Sequence, residues 1–67
     1  MDLATQLALR AIVRGLFNSK AINSVQVRSV ADALKDAAGV AMEGREPDSA
    51  KELLALAKGI KTDTAVA

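Results

Sequence analysis

The sequence predicts an all-α fold of three short helices, and three observations carry that prediction. Apolar residues recur at helical spacing over three separate stretches. The two connections between them, Asn18 to Ile22 and Glu43 to Pro47, hold residues that stop and start helices. Ile22-Asn23-Ser24-Val25-Gln26-Val27 then marks the start of the middle stretch with several signals in register. There is no internal repeat and no low-complexity segment.

The first helix is expected over residues 3–17. Asp2 serves as its cap or first-turn acid, favourable beside the positive end of the helix dipole. Leu9, Ile12, Val13, Leu16 and Phe17 form a strong apolar stripe, and Gln6, Arg10 and Arg14 a polar one. The remaining side is a strip of small residues, Ala4, Ala8, Ala11 and Gly15, flanked by Leu3 and Leu7. A helix apolar nearly all round is buried on more than one side, which a monomer of three short helices does not provide. Leu3, Ala4, Leu7, Ala8, Ala11 and Gly15 are therefore the expected self-association interface.

The central helix is expected over residues 24–42. Asn23 can cap a free N–H of the first turn, and Gln26 falls where its side chain can reach back to the cap, a capping box with Asn in the usual Ser/Thr place. Ile22 and Val27 are placed to form a hydrophobic staple. Val27, Val30, Ala31, Leu34, Ala37, Ala38, Ala41 and Met42 fall on one side; Arg28, Asp32, Lys35 and Asp36 fall on the other. The alanines allow a close neighbour but bury little area. Gly39, inside the run, costs about 1 kcal/mol relative to Ala.

A connection of Asn18 to Ile22 suits an antiparallel hairpin of the first two helices, with Asn18 able to take the left-handed conformation that ends a helix. The main stripe of the first helix would then face Val27, Val30, Leu34 and Ala38. Gly44 is expected to stop the central helix and Pro47 to open the third, with Ser49 and Glu52 as an alternative capping box. The third helix, about residues 47–58, packs across the hairpin through Ala50, Leu53, Leu54, Leu56, Ala57 and Ile60. Gly59 weakens or ends it, and Lys58 and Lys61 suit its negative end. Residues 1–60 thus form one domain, and residues 61–67, without periodicity, read as a frayed tail.

Composition sharpens the functional reading. The chain of 67 residues has neither Cys nor His, so it lacks thiolate ligands and the commonest general base and metal ligand. Phe17 is the one aromatic, which argues against stacking on bases or sugars. At 51% hydrophobic it is too apolar for a disordered chain, and no apolar run has the length of a membrane span. Met-Asp-Leu at the start shows no signal-peptide pattern, so the expected location is cytoplasmic. Small domains bury only about 60% of their surface and usually need a staple. With no disulfide and no evident metal, oligomerisation is the staple left.

Candidate chemistry is sparse. Arg10, Arg14, Lys20 and Arg28 are the best candidates for an anion or partner contact. They are few, the net charge is only +1, and a solvated stripe or intersubunit ion pairs explain them better than an anion site does. Charge is nonetheless uneven, +3 over residues 1–28 and −2 over residues 29–67, so the two halves could complement each other between subunits. Asp32 with Asp36, and Glu43, Glu46 and Asp48, lack metal-loop spacing and read as surface charge. Ser19, Ser24, Ser29 and Ser49 have no His to activate them and read as turn, cap and surface residues. No catalytic, metal or cofactor site is expected.

The expected function is interaction: a non-enzymatic helical protein that self-associates and binds another protein, as a structural part, an assembly adaptor or an inhibitor. The alternative is a regulator that holds nucleic acid or a small anionic ligand on the basic stripe; the near-zero net charge and missing aromatics speak against nucleic acid.

Overall fold

A computed structural model describes residues 1–65. It contains three helices, α1 (Leu3–Asn18), α2 (Ser24–Glu43) and α3 (Pro47–Asp63), and no strand among the described residues. Val66 and Ala67, the end of the expected tail, lie outside the described residues.

Each helix start follows from local chemistry. The Asp2 carboxylate accepts from the Thr5 N–H at 2.7 Å. Asn23 completes a reciprocal box, its side chain accepting from the Gln26 N–H at 2.9 Å while Gln26 accepts from the Asn23 N–H at 2.8 Å. Ile22 packs against the cluster that contains Val27, as a staple would. α3 opens with Pro47 in its first turn, and no side chain caps it.

The helix ends are less orthodox. After α1 the Lys20 N–H donates to the Phe17 carbonyl and the Ala21 N–H to the Leu16 carbonyl, both at 3.0 Å. After α2 the same pair of bonds runs from Arg45 to Met42 and from Glu46 to Ala41. These are Schellman closures, which need a left-handed residue usually supplied by Gly. Here Lys20 (φ 65°) and Arg45 (φ 61°) fill that position. Asn18 remains helical, and Gly44 sits one residue early at φ −78°. The stop signals of the sequence are thus displaced onto the residues that follow them.

The closest pair is α2 with α3, and α1 lies mainly along α3. The pairing therefore differs from a leading α1–α2 hairpin. One physical reason is the shorter second connection, Gly44 to Glu46. The other is the buried alanines, Ala31 and Ala38 on α2 and Ala50 and Ala57 on α3, which let the two backbones approach closely. Val27, Leu56 and Ile60 form the core cluster, flanked by half-buried Val13, Phe17, Ile22 and Leu34. The amine of Met1 pairs with Glu52 and Arg10 pairs with Asp63, so α1 runs beside α3 in the same direction.

α3 does not end at Lys58 or at Gly59; it continues to Asp63, so residues 61–63 of the expected tail are helical. The buried Thr64 hydroxyl closes it by donating to the Ile60 carbonyl at 2.8 Å.

Two substitutions test this architecture in a denaturant titration. Ile60 is 2% exposed, and Ile60→Ala is expected to cost about 2–5 kcal/mol, most of what a domain this small holds. Arg45→Gly should instead raise the unfolding midpoint, by about 1 kcal/mol, because glycine takes the left-handed conformation without steric cost. A lower midpoint for Arg45→Gly would contradict the closure described.

Candidate functional site

The inward side of α1 is the face bearing Gln6, Arg10, Val13 and Phe17, each half-buried. This corrects the expectation that Leu9, Ile12, Val13, Leu16 and Phe17 together face α2. Of that stripe only Val13 and Phe17 turn inward; Leu9, Ile12 and Leu16 are exposed. α1 contributes no fully buried residue.

Arg10 explains the rotation. Its guanidinium donates to both oxygens of Asp63, Nε to Oδ2 at 2.8 Å and Nη2 to Oδ1 at 2.7 Å. Two parallel N–H bonds fix the relative orientation of the two groups as well as their distance. On its way to Asp63 the side chain crosses Gly59. A methyl placed on Gly59 would meet Arg10 Nε at 2.8 Å and Cζ at 2.9 Å. The missing side chain at Gly59 thus leaves the guanidinium room against the α3 backbone, which accounts for a helix-weakening residue in mid-helix.

The four cations grouped in the sequence therefore separate into different roles. Arg10 is consumed by Asp63. Arg14 is exposed on α1. Lys20 lines an apolar cleft with Phe17, Ile22, Asn23 and Ser24. Arg28 lines a second cleft with Ser24, Val27, Lys61 and Thr64. The two clefts meet at Ser24, which opens α2. Lys61, from α3, was not part of the expected group, and neither was Lys35 beside it.

Lys35 lowers the pKa of Lys61 below its ordinary 10.5, because two ammonium groups so close resist double protonation. Desolvation and Arg28 act in the same direction, and Asp32 opposes them. Arg28, Asp32 and Lys35 recur at i, i+4 and i+7, so they share one face of α2. That signal was legible; Lys61 coming to meet them from α3 was not. Among the described residues, Arg28, Lys35 and Lys61 form no ion pair.

The residues expected for self-association, Leu3, Ala4, Leu7, Ala8, Ala11 and Gly15, are all exposed. An added methyl on Gly15 would meet open space. On the helical wheel, Ala4, Ala8 and Gly15 lie opposite the inward face, with Ile12 and Leu16 on one flank and Leu3 and Leu7 on the other. The outer surface of α1 is a shallow trough of small residues between two apolar rims.

Among the described residues no three acidic side chains gather as a metal site would require, and no helix is long and apolar enough to cross a membrane.

Acidification tests the Arg10–Asp63 dock. The hydrogen bonds from Arg10 hold the Asp63 carboxyl below its usual 3.8, against an opposing effect of burial. The bond from the Thr5 backbone likewise lowers Asp2. A carboxyl depressed in the fold binds fewer protons there than in the unfolded chain. It stabilises fully above the unfolded value, and that contribution is lost as pH falls through the folded one. Stability should therefore drop below about pH 4, and Asp63→Asn should shrink that drop. Gly59→Ala should shrink it too, by displacing Arg10, although it gains about 1 kcal/mol of helix propensity at neutral pH. An acid profile identical to the wild type in both variants would contradict the dock. No family model, curated protein or solved structure matches the chain.

Proposed function

We propose that the protein is a non-enzymatic helical interaction module that self-associates through the outer face of α1, and that the assembly so formed acts as a structural part, an adaptor or an inhibitor of another protein. The observation that carries this reading is the exposure of an apolar helix. Leu3 is 68% exposed, Leu7 49%, Ile12 59% and Leu16 44%, and the helix buries no residue of its own.

Surface area supports the same reading. The chain exposes 4691 Å², whereas a folded monomer of 7.0 kDa is expected to expose about 4,000 Å². The excess is roughly 600–700 Å², close to the ~800 Å² that each partner buries in a standard protein–protein interface. A second copy is the occupant best matched to the trough. Small residues along Ala4, Ala8, Ala11 and Gly15 admit an identical helix closely, and the apolar rims on either side would cover one another in a two-fold contact.

Light scattering after size exclusion, across a dilution series, tests the proposal. The expected mass is a fixed multiple of 7.0 kDa. Ala11→Leu, which fills the trough, should shift the equilibrium to monomer, while Arg14→Ala should leave it within about twofold because exposed charges contribute little. A folded monomer at every concentration would overturn self-association and leave the face to a different protein.

A further inference from the structure

We propose that the cleft bounded by Ser24, Val27, Arg28, Lys61 and Thr64 is a binding site for a phosphate-type dianion, with Arg28 and Lys61 as its charged contacts and Lys35 as a supporting cation. Three observations on the charge of this region carry the inference, and it stands independently of whether α1 self-associates.

The first is convergence. Arg28 and Lys61 come from different helices and line one cleft of about 270 Å³, ample for a phosphate group and its near substituents. The second is the absence of compensation. Asp32 is the carboxylate near enough to influence Lys61, and it makes no ion pair with Arg28, Lys35 or Lys61 among the described residues. Two positive charges therefore stand in excess. The third is contrast with Arg10, which the same fold pairs with a carboxylate through two bonds to Asp63. The fold neutralises one arginine by a bidentate pair and leaves three cations together without one.

Like charges held together destabilise a fold unless a counter-charge joins them. A dianion in the cleft would remove that repulsion and accept from groups of two kinds. The Arg28 guanidinium offers a planar fork suited to two phosphate oxygens, and the Lys61 ammonium a point charge. The Ser24 hydroxyl at the rim adds a neutral donor. Val27 and Thr64, both buried, form the floor and keep the cations from collapsing onto the core. Of the residues expected for an anion contact, Arg10, Arg14, Lys20 and Arg28, the proposed site uses Arg28 and adds Lys61 and Lys35.

The test uses the full chain, uniformly ¹⁵N-labelled, titrated at constant ionic strength with inorganic phosphate and in parallel with a nucleoside monophosphate. Saturable amide shifts centred on Ser24, Arg28, Lys61 and Thr64 are expected, weakened at least tenfold by Lys61→Gln or Arg28→Gln and within twofold of wild type for Arg14→Gln. Tighter binding of the monophosphate than of phosphate identifies a phosphomonoester as the source; equal binding identifies the free ion. Melting supplies a second readout: Lys61→Gln should raise the Tm in phosphate-free buffer and lose the rise that phosphate gives the wild type. Shifts that fail to saturate, that spread evenly over Arg14, Lys20 and Arg45, or that survive both substitutions would overturn the site. So would tight binding of a DNA duplex that Arg14→Gln abolishes.

Discussion

The guanidinium of Arg10, laid across Gly59 and bonded twice to Asp63, is the constraint on which the placement of α1 depends. α2 and α3 make a core of their own from Val27, Leu56, Ile60 and four alanines. α1 adds only Val13 and Phe17 to that core, so apolar contact alone fixes its rotation weakly. A bidentate ion pair is directional where the hydrophobic effect is not. With Asp63 15% exposed and Arg10 31% exposed, the pair is shielded enough to hold one geometry yet not so deep that desolvation dominates. Turning Arg10 inward necessarily turns Ile12 and Leu16 outward.

That trade has a consequence for the whole molecule. Alanines in the α2–α3 seam permit a short interhelical distance but bury little apolar area each. The largest fully buried side chain is Ile60. A chain with so small a core leaves much of its apolar surface outside; the largest share, Leu3, Leu7, Leu9, Ile12 and Leu16, lies on α1, and Val25, Val30, Val40 and Met42 add to it on α2. Exposed apolar residues scattered singly are ordinary, whereas a contiguous apolar face on a small domain marks a place where something else packs. The interaction function proposed above follows from this economy of core.

The basic first half and acidic second half meet within one chain at two points, Met1 with Glu52 and Arg10 with Asp63. These contacts draw α3 toward α1 and use acids of the second half, leaving Arg28, Lys35 and Lys61 without them. Complementarity expected between subunits is thus partly spent within the subunit.

What the sequence determined by itself was whatever is decided within a few residues. The three helices, the Asn23–Gln26 box, the staple at Ile22 and the proline opening of α3 depend on contacts at i, i+3 and i+4, and those are readable from spacing alone. The ends of α1 and α2 were legible to within one residue, with Lys20 and Arg45 rather than Asn18 and Gly44 in the left-handed position of the closure bonds, whereas α3 runs on to Asp63, past the expected stop at Lys58. Only the tertiary structure decided which side of α1 turns inward, that Asp63 belongs to a helix rather than a tail, and that Lys61 joins Arg28 and Lys35. Arg10 and Asp63 are 53 residues apart, and no local pattern encodes a pairing over that distance. The physical reason is that α1 is apolar around most of its circumference, so periodicity alone leaves several faces able to turn inward. Choosing between them took a directional bond and a glycine to accommodate it, both supplied by a helix from the other end of the chain.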